Sequence, residues 1–86
     1  MITREVLMKS KAGLHARPAS QVVAMAKKYE SKITIINGEK EVDAKSIIKI
    51  LTIGAKEGTQ LVVTADGADE VAALEEIATF IADLDE

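Results

Sequence analysis

The 86-residue sequence has no cysteine and no tryptophan, and it contains one proline and one histidine. Without cysteine the chain can form no disulfide and offers no thiolate to a metal, and one histidine is too few for an ordinary zinc site. We therefore expect no metal and no cofactor. The lack of cysteine also fits a reducing compartment such as the cytoplasm.

Long apolar runs and basic patches are missing as well. No stretch approaches the roughly 20 apolar residues that span a bilayer, and Met1 leads into a charged segment where a signal peptide would become apolar. We expect no membrane contact and a cytoplasmic location. The net charge is −3 and two side chains are aromatic, whereas nucleic-acid binding needs basic surfaces and stacking rings. We therefore expect no nucleic acid as a partner.

Length and composition predict one small domain, residues 1–86. Hydrophobic residues make up 48% of the chain and charged residues 29%, as in an ordinary globular domain. No internal repeat, linker or low-complexity tract divides the sequence. We expect a monomer.

The single histidine lies in the sequence Gly-Leu-His-Ala-Arg-Pro-Ala, residues 13–19. Apolar residues recur at helical spacing after it, so His15 falls at or just before a helix N-terminus. This end of a helix attracts anions, because its first amides have no partner within the helix and the dipole is positive there. Pro18 removes one such amide, and we expect the amides of Ala16 and Arg17 to point at the anion. Arg17 adds a guanidinium group, whose paired N–H donors can bind two phosphate oxygens at once.

This arrangement suits a histidine that accepts a phosphoryl group and hands it on, because a neutral imidazole has a lone pair for attack on phosphorus. Position alone leaves other interpretations open. A lone histidine near a helix start is often a cap or an ordinary surface residue. It could also be the general base of a hydrolase or transferase, although no triad partner is evident and a chain of 86 residues leaves little room for a substrate pocket.

The motif is more specific than its position. Residues 13–19 resemble the active-site motif of the HPr family, the histidine-containing phosphocarriers of the bacterial phosphoenolpyruvate:sugar phosphotransferase system. The resemblance continues through residues 44–47 and 61–67 and so covers nearly the whole chain. It implies that His15 accepts a phosphoryl group on Nδ1 from phosphorylated enzyme I and passes it to sugar-specific IIA domains, with Arg17 stabilising the phosphate. A chain of this kind is a phosphotransfer component rather than a stand-alone enzyme.

Alternation and helical spacing predict the remaining elements. Strands are expected at 3–9, 33–36, 40–42 and 61–65, with a hairpin at Asn37-Gly38, and a helix is expected at 16–29. Asp69 is predicted to cap a final helix. Its last turn should fray, because acidic residues near the C-terminus, Asp83, Asp85 and Glu86, oppose the dipole. The expected buried stripe of this helix is Val71, Leu74, Ile77, Ala78, Ile81 and Leu84.

Residues 46–53, Ser-Ile-Ile-Lys-Ile-Leu-Thr-Ile, fit two predictions. Four isoleucines favour a strand, whereas Ser46 is a good N-cap and a helix would place Ile47, Ile50, Leu51 and Gly54 on one face. The HPr resemblance implies a short helix here, and it decides between the two. The element order is then βαββαβα, an α+β two-layer domain. The resemblance implies an open-faced sandwich in which three helices cover one face of a four-stranded antiparallel sheet.

The same short helix is predicted to carry a docking surface. Consecutive residues on a helix lie about 100° apart, so Ile47 and Ile48 cannot both be buried and Ile48 is left pointing outward. One exposed isoleucine needs no functional explanation, but the resemblance implies that this region meets enzyme I and IIA domains. The predicted partner-binding residues are Ala12, Leu14, Arg17, Ser20, Ile47, Ile48, Lys49 and Leu51, framed by Lys27, Lys45 and Lys49 unless those lysines are only a solvated rim.

Ser46 is also a candidate for regulatory phosphorylation. In one branch of the HPr family an ATP-dependent kinase phosphorylates the matching serine, which would add an HPr kinase/phosphorylase to the partners. A phosphate at a helix N-cap gains the first amides and the dipole. This chain has Ser-Ile-Ile-Lys at 46–49 where that branch has Ser-Ile-Met-Gly, so a plain capping role stays open. The general, nitrogen-related, fructose-specific and dihydroxyacetone-linked branches also stay open, as does a regulatory relative, whose expected signature is loss of the histidine.

Overall fold

The computed structural model describes residues 1–84, which contain four strands and three helices. The predicted order βαββαβα is confirmed. In chain order the elements are β1 (Ile2–Leu7), α1 (Ala16–Ala26), β2 (Lys32–Asn37), β3 (Lys40–Asp43), α2 (Ile47–Leu51), β4 (Gln60–Asp66) and α3 (Glu70–Asp83).

The strands form one antiparallel sheet in the order β1-β4-β2-β3. Alternation along the strands separates the two faces, as in Val6, which is buried, and Leu7, which is exposed. The helices cover the buried face, with α3 against β1 and β4 and with α1 between α2 and α3. The predicted open-faced α+β sandwich is therefore confirmed. The buried hydrophobic residues of the sheet are Val6, Ile33, Ile35, Val42, Leu61, Val63 and Ala65.

The predicted hairpin is present, but its turn is centred one residue later than the sequence signal. Asn37 of β2 pairs with Lys40 of β3, so Gly38 and Glu39 are the two loop residues. Of this pair only Gly38 has a positive φ, +63°. A turn with glycine at its first central position is one of the two tight turns that suit the twist of paired strands.

The segment 46–53 contains the short helix α2, Ile47–Leu51, as the HPr resemblance implied. Ser46 has extended backbone angles, and its hydroxyl accepts a hydrogen bond from the Lys49 amide at 3.4 Å. Ile50 is fully buried, while Ile48 is 72% exposed. The strand favoured by β-branched residues does not form, because one face of α2 covers the core through Ile50.

Two predictions for α3 are wrong. Val71 is 69% exposed, and Ala73 is buried in the early part of the helix instead. At about 100° per residue, Val71 and Ala73 lie at opposite edges of the buried face of the helix. A small rotation of the helix therefore determines which of the two is buried. Asp69 occupies the N-cap position, but its side chain does not cap α3, because it accepts hydrogen bonds from Glu30 and Ser31. The rest of the predicted stripe, Leu74, Ile77, Ala78, Ile81 and Leu84, is buried.

The remaining prediction for α3 is a frayed last turn. It involves Asp85 and Glu86, which lie outside the described residues. Within the described part, the helix ends at Asp83, and the amide of Leu84 donates to the carbonyl of Ile81 at 3.3 Å.

Candidate functional site

The segment before α1 is held by backbone hydrogen bonds. Gly13 has φ +69°, and its amide donates to the carbonyl of Ser10 at 3.1 Å. The next amide, that of Leu14, donates to the carbonyl of Ala55 at 3.1 Å. The side chain of Leu14 is buried, with 5% of its surface exposed. The chain thus enters α1 from a fixed point on the core.

His15 is the N-cap residue of α1. Its backbone is extended, with φ −84° and ψ −172°, and its carbonyl accepts the first helical hydrogen bond, from Ala19 at 3.0 Å. Its half-buried side chain does not make the capping hydrogen bond to the helix. The capping interpretation of His15 is therefore not supported, and the imidazole stands at the positive end of the helix.

The first turn of α1 has the composition of an anion site. The sequence from Ala16 to Ala19 contains no acidic residue, so no side chain of this turn neutralises the dipole. Arg17 is the second residue of the helix and is exposed, and Pro18 is the third and is buried. Proline fits there because an amide at that position precedes the first helical hydrogen bond.

Helices α1 and α2 are in contact, and hydrogen bonds near both ends indicate that they run in opposite directions. Leu14, just before α1, is bonded to Ala55, which follows α2. At the other end the Nζ of Lys45, which precedes α2, donates to the carbonyl of Tyr29, which follows α1, at 2.8 Å. The C-terminal end of α2 therefore lies near His15, and the Ser46 end lies farther along α1.

Three large hydrophobic side chains of α2 are exposed: Ile47 by 38%, Ile48 by 72% and Leu51 by 45%. Ala12, Ser20 and Lys49 are exposed as well. We call this set of six residues the docking surface, after the role that the sequence predicts for it. Since α1 and α2 are in contact, its members on α2 lie beside α1, the helix that His15 begins.

Three predicted partner-binding residues, Leu14, Lys27 and Lys45, lie outside this set of six. Leu14 belongs to the core, so its side chain cannot contribute to an exposed patch. Lys27 is the C-cap residue of α1, about 18 Å along the helix axis from His15. Lys45 is half-buried, and its ammonium group is engaged by the Tyr29 carbonyl. Helical spacing in the sequence could not predict where these three residues lie, because it carries no information on how α1 and α2 are aligned.

The clearest electrostatic cluster lies away from His15, between α1 and α3. Glu76 accepts hydrogen bonds from the Tyr29 hydroxyl and, at 2.8 Å, from the Lys28 ammonium group. These bonds lower the pKa of Glu76 and raise the pKa values of Lys28 and Tyr29. They connect the C-terminal end of α1 to α3. The His15 segment is at the opposite, N-terminal end of α1.

Sequence reasoning missed Ala55, whose carbonyl supports the His15 segment. No sequence signal pointed to it, because the contact is made by backbone atoms. Within residues 1–84 no cluster of three histidine, cysteine or acidic side chains is placed to hold a metal ion. No helix in this range has the length and apolarity needed to cross a membrane.

Comparisons with known proteins agree with this geometry. A family model described as the phosphotransferase-system HPr component phosphorylation site matches residues 2–83. The phosphocarrier protein HPr of Haemophilus influenzae is 40% identical over 85 residues, which are 99% of this chain and 100% of that protein. The multiphosphoryl transfer protein of Vibrio cholerae is 43% identical over 77 residues, which are 86% of this chain and 19% of that protein.

A solved structure shows the same fold. The crystal structure of HPr-C-His from Thermoanaerobacter tengcongensis superimposes with a TM-score of 0.89 and 37% identity, covering 94% of this chain and 91% of that chain. Sequence and fold thus agree over almost all of the described residues. The chain belongs to the HPr family, the phosphocarriers of the phosphotransferase system.

Proposed function

We propose that this chain carries phosphoryl groups from enzyme I to the sugar-specific IIA domains of the phosphotransferase system, with His15 as the acceptor. One observation carries the proposal: His15 stands at the N-cap of α1 without capping it, and Arg17 follows in the same turn. The imidazole is thereby placed where the helix offers amides and positive potential to an anion.

The reaction is an exchange of one N–P bond for another. The Nδ1 lone pair of neutral His15 attacks the phosphorus atom of the phosphohistidine of enzyme I. A bond forms between Nδ1 and phosphorus as the bond to the donor ring breaks, and the electron pair of that bond returns to the donor nitrogen. The His15 ring keeps its proton on Nε2. In the transfer to a IIA domain this chain is the donor, and its own N–P bond is the one that breaks.

The transferred group bears charge on three oxygens, and the chain's task is to place and stabilise them. In this proposal the amides of Ala16 and Arg17 and the guanidinium of Arg17 hold these oxygens. Such positioning and electrostatic stabilisation account for most of the catalysis in phosphoryl transfer. A helix end contributes about 0.3–1 kcal/mol at an exposed site, which favours the phosphate without trapping it.

The docking surface is the proposed contact with both partners. Exposed Ile47, Ile48 and Leu51 supply apolar area beside the acceptor. Lys49 adds positive charge there, which favours partners with acidic surfaces. We place the reaction in the cytoplasm, with the chain as a monomer, in line with the expectations from the sequence.

Phosphorus NMR of the purified chain tests the proposal. The sample contains phosphoenolpyruvate, magnesium and catalytic enzyme I, beside a His15→Ala control. We expect an acid-labile Nδ1-phosphohistidine signal from the wild type and none from the variant. An absent wild-type signal, with enzyme I shown to be active on another HPr, would contradict the proposal.

A further inference from the structure

We propose that the backbone carbonyl of Ala55 positions His15, acting through Gly13 and Leu14. This inference rests on the proposed role of His15 as the phosphoryl acceptor. Ala55 lies in the segment between α2 and β4, residues 52–59, which we call the α2–β4 loop. It is a positioning residue, since it acts on His15 through the two residues before it.

The Ala55 carbonyl makes two contacts with the His15 segment. The amide of Leu14 donates to it at 3.1 Å. The Cα of Gly13 packs so closely against it that an added Cβ would lie 2.1 Å from the carbonyl oxygen and 2.9 Å from the Cα of Lys56. Gly13 is also in the left-handed region, at φ +69°. Position 13 therefore accepts only glycine while the two segments remain together.

The side of the α2–β4 loop nearer to α2 is held by the β2–β3 hairpin. The Nδ2 of Asn37 donates to the carbonyl of Ile53 at 2.9 Å, and the Nζ of Lys40 donates to the carbonyl of Thr52 at 2.9 Å. The side chain of Ile53 is buried in the core. These contacts fix the chain two residues before Ala55.

The other side of the loop is held at the end of β1. The amide of Gly58 donates to the carbonyl of Met8 at 2.8 Å, and the amide of Met8 donates to the carbonyl of Thr59 at 2.9 Å. The amide of Lys56 donates to the Thr59 hydroxyl oxygen at 3.1 Å. Ala55 is thus a fixed point between the hairpin and β1, and the His15 segment rests on it.

The position of the His15 ring depends on where the chain enters α1, one residue after Leu14. An alanine at position 13 would have to separate the two segments by about 1 Å or more to reach an ordinary contact distance. In a group-transfer site a misplacement of about 1 Å can cost about 10²-fold in rate. Loss of the Ala55 contact should therefore slow phosphotransfer in a chain that is still folded.

Gly13→Ala tests this, and two other glycines provide matched controls. Gly38 has φ +63° and no heavy atom within 4 Å of an added Cβ, so Gly38→Ala introduces the same backbone strain without a clash. Gly67 has φ +156°, and an added Cβ would lie 2.6 Å from the Ser31 hydroxyl oxygen, so Gly67→Ala introduces a clash near α3. For each full-length variant, rapid quench with enzyme I and phosphoenolpyruvate gives kcat and KM, and circular dichroism gives the folded fraction.

We expect Gly13→Ala to lower kcat by about 10²-fold per folded molecule, with a KM for the chain within about twofold of wild type. Both controls should phosphorylate at the wild-type rate, even though Gly67→Ala loses stability. If Gly13→Ala does not fold, Asn37→Ala loosens the same loop from the hairpin and should lower kcat by about tenfold.

Three results would overturn the inference. They are a folded Gly13→Ala chain with wild-type kcat, a Gly67→Ala chain slowed as much as Gly13→Ala, and, where Gly13→Ala is unfolded, an Asn37→Ala chain with wild-type kcat. Failure of the proposed function is distinguishable from these, because in that case wild type itself would form no phosphohistidine.

Discussion

The Asp69 carboxylate ties the start of α3 to the start of β2 by accepting hydrogen bonds from both the amide and the hydroxyl of Ser31. The amide of Glu30 donates to the same carboxylate at 2.9 Å. These bonds lower the pKa of Asp69, with the Ser31 hydroxyl as the largest cause. The ionised form is therefore the one that the folded chain stabilises.

We expect Asp69→Asn to lower the urea midpoint of unfolding at pH 7, because the amide NH2 that replaces one carboxylate oxygen cannot accept a hydrogen bond from Glu30 or Ser31. A carboxyl whose pKa is lowered by folding adds stability above its unfolded pKa, near pH 4, and loses it as the pH falls through its folded pKa. The difference between variant and wild type should therefore shrink below about pH 4. Asp66→Asn, at an exposed carboxylate 3.7 Å from the N-terminal amine, is the control. A gap that stays constant from pH 7 to pH 3 would contradict the assignment.

Substitutions at Ile48 and Ile50 test partner docking and core packing separately, although both residues lie on α2. Ile50 is fully buried, so Ile50→Ala should lower the free energy of unfolding by about 2–5 kcal/mol. Ile48 is 72% exposed, so Ile48→Ala should change it by no more than about 0.5 kcal/mol. If the proposed function is correct, Ile48→Ala nevertheless raises the KM of enzyme I for this chain, because it removes apolar area from the docking surface. Urea titration and transfer kinetics on the same preparations measure both effects, and an unchanged KM would count against the docking role.

Removal of the Arg17 guanidinium should affect chemistry more than folding. Arg17 is exposed in the first turn of α1, so Arg17→Ala should alter the free energy of unfolding by about 0.5 kcal/mol or less. Loss of one preorganised donor costs about 10²-fold in rate, and we expect a decrease of that size in phosphotransfer. Arg17→Lys retains the charge but not the paired N–H donors of the guanidinium, so its rate should fall between those of wild type and Arg17→Ala. Rapid-quench kinetics that show Arg17→Ala at the wild-type rate would exclude this role.

Ser46 allows capping and regulation to be tested independently. The bond from the Lys49 amide to the Ser46 hydroxyl is long, 3.4 Å, so Ser46→Ala should cost only about 0.5 kcal/mol of stability. Ser46→Asp keeps a good N-cap and adds a negative charge at the end of α2. If this end meets acidic partners, transfer should slow by about tenfold at low salt and recover as salt screens the charge. Equal transfer rates for both variants would refute the regulatory interpretation and leave Ser46 as a cap.

The sequence contained enough information to place most of the elements. Alternation located β1 correctly to within two residues at its C-terminal end, since Val6 and Met8 are buried and Leu7 is exposed. The segment around His15 could be assigned to a helix start because Gly13 and Pro18 each restrict the backbone in a way that local rules capture. The function of His15, by contrast, was suggested by a motif whose meaning came from the family resemblance.

Other features depended on contacts that no local rule describes. Asp69 has the residue type and position of a helix cap, yet its carboxylate faces Ser31, which is distant in sequence and buried beside it. The choice between Val71 and Ala73 depended on the rotation of α3 against the sheet. Ala55 could not be identified as a site residue, because any residue type supplies a carbonyl. Each of these depends on tertiary packing, which determines the partner after local propensity has chosen the element.

The strand order β1-β4-β2-β3 has a consequence for biosynthesis. β1 lies at the sheet edge and its only strand partner in the described residues is β4, so that Ile2 pairs with Ala65 and Leu7 pairs with Gln60. A ribosome adding about 5–20 residues per second leaves β1 without its partner for about 3–12 s. During this interval β2 and β3 can already form their hairpin. The emerging chain must therefore protect the unpaired strand β1 until β4 leaves the exit tunnel of the ribosome.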